Sequence, residues 1–151
     1  MEVKQMAQVL VGADDLTGAN ATGVLLKKNG FTTYTVLDPA HGADPELAGC
    51  DCLVIPTESR AIDPREAYDW VKNALAVTRD DGVKLYAKRI DSTLRGNLGS
   101  ETDAFLDLLG PDYIAVCVPC FPSSGRVLVG GYLLVNGVPL QKTEVAKDPK
   151  N

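Results

Sequence analysis

Short apolar runs alternate along this chain with stretches of helical periodicity, and that alternation limits the possible folds more than any other feature. Strands separated by helix-length segments need crossover connections rather than tight turns, and crossovers build a parallel sheet with helices on its faces. The spacing predicts strands over 7–13 (AQVLVGA), 31–37, 52–56, 83–90 and 113–118. Helices are expected over 16–29, with Gly30 placed to end it, and over 100–109 before Gly110-Pro111. Another helix starts at Asp63, an N-cap, with Pro64 at its first position and Glu66 able to close a capping box. Its apolar positions Ala67, Trp70, Val71, Ala74, Leu75 and Thr78 follow helical spacing, which places Trp70 in the core. Further strands are expected over 127–129 and 132–135, the latter turning at Asn136-Gly137. The fold class is therefore α/β: a three-layer α/β/α domain on a mostly parallel, doubly wound sheet.

A chain of 151 residues suits one such domain and buries about two-thirds of its unfolded surface, so it needs no disulfide or metal staple. Its formal net charge of −5 argues against nucleic acid and anionic membrane as partners, because both demand a basic surface. No apolar run approaches the ~18 residues of a membrane span. The opening MEVKQMAQVLVGADD lacks the order of a signal peptide, and cytoplasmic localisation is the expectation. Cysteines at 50, 52, 117 and 120 read better as reduced thiols than as a metal site, and no metal ligand set is expected. The lone His41, in a loop with Gly42, Asp44 and Pro45, reads as a solvated residue rather than a catalyst.

Open parallel sheets bind ligands beyond the carboxyl ends of their strands. The loops in question are 12–18, 57–60, 88–97 and 121–126. Four of the six arginines (Arg60, Arg89, Arg95 and Arg126) fall within them. Guanidinium pairs bidentately with carboxylate and phosphate, so this clustering in an acidic protein implies a small anionic ligand. The competing reading is that these arginines only bridge neighbouring Asp and Glu. Adjacent Asp14 and Asp15 form the second signal: one can cap the helix that follows, leaving the other as a general base or a water-mediated Mg²⁺ ligand. Small residues at the start of that helix, including Thr17 and Gly18, let a ligand approach its backbone amides. The segment Asp91-Ser92-Thr93-Leu94-Arg95-Gly96 mixes the groups that a polyhydroxylated acid would use. Lys88 and Arg89 end a strand that should be buried, and buried cations need partners. No phosphate loop, dinucleotide fingerprint, nucleophile elbow or H-E-x-x-H motif is present.

At these same segments the chain resembles a known family. VGADDLTGAN (11–20), KRIDSTLRGN (88–97), the P-x-F-P-x-x-G-R stretch (119–126) and GYLLVNGVPLQKTEVAKDP (131–149) are similar to the amino-terminal part of the four-carbon acid sugar kinases. That family phosphorylates threonate, erythronate or related 3-oxo acids, with ATP bound by a separate carboxyl-terminal domain. The resemblance implies that 1–151 is an amino-terminal substrate-binding domain, incomplete and without the ATP-binding domain. ATP and Mg²⁺ would be bound mainly by that other domain, and this chain alone would be inactive. It implies catalytic roles for Asp14 and Asp15, with the general base not assigned between them. It implies substrate-binding roles for Thr17, Gly18, Arg60, Lys88, Asp91, Ser92, Arg95, Gly96, Gly125 and Arg126, with Arg95 foremost on the sugar carboxylate. The alternatives are a non-catalytic small-acid-binding module or sensor, and a transferase acting on a phosphorylated substrate. An incomplete sheet would also leave an edge able to pair with a second copy, so a homodimer is an expectation too.

Overall fold

The computed structural model describes residues 7–42 and 44–147. Alternation along the first strand, β1 (Val9–Ala13), sets the layers. Leu10 points into a core with Leu53, Ile55, Val71, Leu75 and Phe105, whereas Val11 and Ala13 join Ala19 and Val54 on the opposite face. Helix α1 (Leu16–Lys28) covers the second face, and α2 (Pro64–Thr78) with α3 (Leu98–Leu109) covers the first. Both faces of the sheet are thus buried, as the α/β/α reading requires. Strands β2 (Thr33–Thr35), β3 (Cys52–Pro56) and β4 (Leu85–Arg89) join β1 in the order β2-β3-β1-β4, all parallel. The loop from 38 to 51 carries two short 3₁₀ turns, and His41 is exposed within the first.

Local chemistry explains where the elements begin and end. Asp63 accepts the Arg65 N–H at 2.9 Å and Pro64 takes the first position of α2, as the sequence predicts. Asn29 caps α1, and Gly30 leaves it with φ +93°. A second, antiparallel sheet follows: β5 (Arg126–Val129), β6 (Tyr132–Val135) and β7 (Val138–Pro139). The β6–β7 turn is Asn136-Gly137, both at positive φ, which is the conformation that a two-residue hairpin demands.

Three expectations fail, the smallest being the capping box, since Glu66 makes no hydrogen bond back to Asp63. The run 113–118 forms no strand, although it lies beside the open edge of β4 and Tyr113 meets Tyr86 edge-to-face. Ile114 is 85% exposed and Val116 79%, so no layer covers the run. Strand preference expresses packing against a pleated, half-buried surface, and that surface is missing here. Trp70 is the third correction: it is 52% exposed, while Ala67, Val71, Ala74, Leu75 and Thr78 are buried. It stands on the flank of the apolar stripe, beside Asn73 and Val77, and lines a shallow groove with Leu37 and Pro39.

Candidate functional site

The parallel register brings the strand ends level. Ala13 pairs with Pro56 on one side and with Arg89 on the other, so the loops after β1, β3 and β4 leave the sheet together. Arg60 gathers them. Its Nε and Nη2 donate to the two carboxylate oxygens of Asp14 at 2.8 and 3.0 Å, and Nη1 donates to Asp15 Oδ2 at 2.6 Å. Nη2 also stands 4.0 Å from Asp91 Oδ1. Burial would lower the Arg60 pKa, but the hydrogen bonds and charge of Asp14, with the charges of Asp15 and Asp91, raise it above the usual value. Asp14 is 1% exposed. Asp15 is the N-cap of α1, and its Oδ1 accepts the Gly18 N–H at 2.6 Å. Gly96, at φ +97°, packs flat on Arg60, where a Cβ would come within 3.2 Å of Arg60 Cγ.

Asp91 holds a second cluster. Arg95 grips it bidentately, Nε to Oδ2 at 2.9 Å and Nη2 to Oδ1 at 3.0 Å, and Thr93 donates to Oδ2 through both its N–H and its hydroxyl. Burial pushes the Asp91 pKa up, but the bonds from Arg95 and Thr93 outweigh it and hold the carboxyl well below the usual carboxylate range. A carboxyl depressed in the folded state stabilises fully above its unfolded pKa and loses that contribution as pH falls toward the folded one. Thermal melts from neutral pH to about pH 2 should therefore show wild type losing on the order of 1 kcal/mol more than Asp91→Asn. Parallel losses in the two proteins would contradict the assignment.

Behind these clusters runs a buried polar chain that the sequence reading missed. Lys88 pairs with Glu101 of α3, whose Oε1 accepts the Ser59 hydroxyl at 2.9 Å. Ser59 Oγ lies 2.7 Å from Thr57 Oγ1, which donates to the Ala13 carbonyl at 2.9 Å. Asn97 ties the same loop down through the Ser59 and Ile62 carbonyls at 2.8 and 2.9 Å. Glu101 was legible only as a charge one turn into an otherwise amphipathic helix, where acidic residues commonly serve the helix terminus.

A cavity of about 280 Å³ opens beside Asp91, lined by Thr22, Leu25, Arg89, Asp91, Ser92 and Phe121 among others, with Lys88 in its wall. The structure therefore gathers Asp14 and Asp15 around the Arg60 guanidinium, with Gly96 against the Arg60 stem and Gly18 bonded to Asp15. It places Lys88, Asp91 and Ser92 on the cavity, with Arg95 bound to Asp91 but not part of the lining. Thr17 is exposed in the first turn of α1. Gly125 and Arg126 stand where the 3₁₀ turn Pro122–Ser124 passes into β5: Gly125 carries φ +74° against Asn136, Arg126 exchanges backbone hydrogen bonds with cavity-lining Phe121, and its Nη1 donates to the Ser124 carbonyl at 2.6 Å. Among the described residues Arg126 has no ion pair, and it does not line this cavity.

These residues assemble no all-protein metal cage. Both Asp14 oxygens are taken by Arg60, Asp15 is shared between Arg60 and Gly18, and no group of three or more His, Cys, Asp or Glu is placed to hold a metal among the described residues. Cys50 and Cys52 are buried free thiols whose pKa values are pushed up, first by burial, and Cys117 and Cys120 are exposed free thiols. No helix among the described residues is long and apolar enough to cross a membrane.

Comparison with known proteins gives concordant results. A family model described as "Sugar-binding N-terminal domain" matches residues 9–151. A D-erythronate kinase of Heliobacterium modesticaldum is 54% identical over 147 residues, covering 96% of this chain and 33% of that protein. A D-threonate kinase of Salmonella typhimurium is 41% identical over 144 residues, covering 95% of this chain and 33% of that protein. The chain thus spans about a third of the length of these relatives. A crystal structure of a domain of unknown function from Bordetella bronchiseptica, a domain-swapped dimer with bound citrate, superposes with a TM-score of 0.89 at 34% identity. The match covers 96% of this chain and 37% of that one.

Proposed function

The chain belongs to the sugar-binding N-terminal domain family, and from that footing we propose that it is the substrate-binding part of an ATP-dependent kinase for a four-carbon sugar acid such as erythronate or threonate. The observation that carries this reading is the cavity at the carboxyl ends of the strands, where carboxylate, hydroxyl and guanidinium groups converge within about 280 Å³. Asp91 and Ser92 accept and donate to the ligand's hydroxyls, and Arg95 holds Asp91 in position for that task. Asp15 is the more accessible of the paired carboxylates, its side chain 22% exposed against 1% for Asp14. Each of its oxygens keeps a second lone-pair direction, so Asp15 takes the proton of the hydroxyl that is phosphorylated, while Asp14 fixes Arg60. Gly125 and Arg126 adjoin the cavity through Phe121, to which Arg126 is bonded by its backbone, and they keep their substrate-binding roles in this reading.

The phosphoryl donor, ATP with Mg²⁺, would be held mainly by sequence outside this chain, which spans about a third of the length of its kinase relatives. The citrate held by the Bordetella neighbour, a small hydroxylated polyacid, supports an acid ligand at this fold, and its dimer supports pairing with a second copy. A kinase of this kind meets ATP in the cytoplasm, which is our reading for localisation. Calorimetry separates the alternatives. Four-carbon sugar acids should bind this chain at least tenfold better than four-carbon sugar phosphates, a difference of about 1.4 kcal/mol. A preference for the phosphates would point to a transferase with a phosphorylated substrate and sink the proposal.

A further inference from the structure

We propose that Arg89 is the residue that recognises the ligand's carboxylate and so selects acids over their neutral counterparts. This rests on the reading of the cavity as a sugar-acid site. The argument is one of allocation. Arg60 spends three donors on Asp14 and Asp15. Arg95, which the sequence places foremost on the carboxylate, is bound bidentately to Asp91. Arg126, at the start of β5, is bridged through its backbone to cavity-lining Phe121 but is not itself part of the lining. Lys88 is paired with buried Glu101. Arg89 alone among these cations lines the cavity without an ion pair to any described carboxylate. Its one hydrogen bond runs from Nη1 to the neighbouring Ile90 carbonyl, a neutral acceptor.

Position supports the assignment. Arg89 is the last residue of β4 and pairs in register with Ala13, so its backbone is fixed by the central strand. Its side chain passes Gly18, where a Cβ would lie 3.4 Å from Arg89 Cγ and 3.9 Å from Nε. Those are ordinary van der Waals distances; what calls for glycine there is Asp15 Oδ1, 2.7 Å from where a Cβ would stand. The stem thereby lies against the first turn of α1, and Arg89 lines the cavity together with Asp91 and Ser92. A guanidinium lacking a carboxylate partner offers a planar, bidentate seat for one. The ligand would supply the missing anion, its hydroxyls reaching Asp91 and Ser92 from the same side.

The test is a pair of ligands that differ only at the acid group: D-erythronate and D-erythronamide, titrated into this chain by calorimetry. Wild type should prefer the acid by roughly tenfold to a hundredfold, the range of one charge-assisted contact. Arg89→Gln should bring the two ligands near parity while leaving the amide's affinity unchanged, which also reports an intact pocket. If Arg89→Gln loses the amide as well, Arg89→Lys decides. A reduced acid preference with normal amide binding supports the proposal, and an undiminished preference overturns it. Retention of the full preference in Arg89→Gln overturns the Arg89 assignment and leaves the sugar-acid reading standing. A wild type that binds neither ligand overturns both.

Discussion

Replacing Arg60 with Ala lowers the melting temperature of this chain by roughly 6 to 20 °C. The size follows from what is left behind. Asp14 is 1% exposed and both its oxygens face the Arg60 guanidinium, so truncation strands a charge in the interior. Removing one partner of a buried pair costs about 3 to 5 kcal/mol, far more than the ~0 to 1 kcal/mol of a surface pair. Two companions make the result specific. Arg60→Lys should rescue only part of the loss, because a single ammonium cannot meet Asp14 twice and Asp15 once. Adding Asp14→Asn to Arg60→Ala should recover part of it, because the stranded charge is gone. If Arg60→Ala melts within about 2 °C of wild type, less than 1 kcal/mol by the usual conversion, the cluster is not a structural keystone.

The second large effect is on turnover, in a protein that carries this domain together with its ATP-binding part. There Asp15→Asn should lower kcat by about 100- to 10,000-fold, the range for loss of a general base. Asn is as good an N-cap as Asp, so the start of α1 and the bond to Gly18 survive. Affinity for the sugar acid should then change little, and the melting temperature should fall by only a few degrees. Asp14→Asn should behave in the opposite sense, as a folding defect through Arg60. Near-normal kcat in Asp15→Asn would remove the base assignment, whatever happens at Asp14.

The sequence exposed the sheet because its signals are local and repeated. Apolar runs, the Asp63-Pro64 start and the Asn136-Gly137 turn each act within a few residues, and each appears in place. The run 113–118 misled because apolar, β-branched composition becomes a strand only where packing covers it, and here Ile114, Val116 and Val118 are exposed. Trp70 misled for a related reason: helical spacing counts it with the stripe, although it sits at the stripe's margin. The site was legible as an inventory of loops but not as a set of pairings. Nothing in the order of residues says that Arg60 would take Asp14 and Asp15, or Arg95 take Asp91, and so the reading in which arginines bridge neighbouring acids holds for those two. Glu101 was invisible because its partners, Lys88 and Ser59, come from separate strand ends.

The pairing of Lys88 with Glu101 bears on how domains of this kind can diverge. Glu101 never reaches the cavity, yet a neutral replacement there would leave an ammonium in the cavity wall with no counter-ion. Drift at either position is therefore tolerable only in company with the other, and Ser59, which holds the far oxygen of Glu101, belongs to the same bargain. Covariation among these three sites, rather than constancy at any one of them, is the signature this architecture should leave in its descendants.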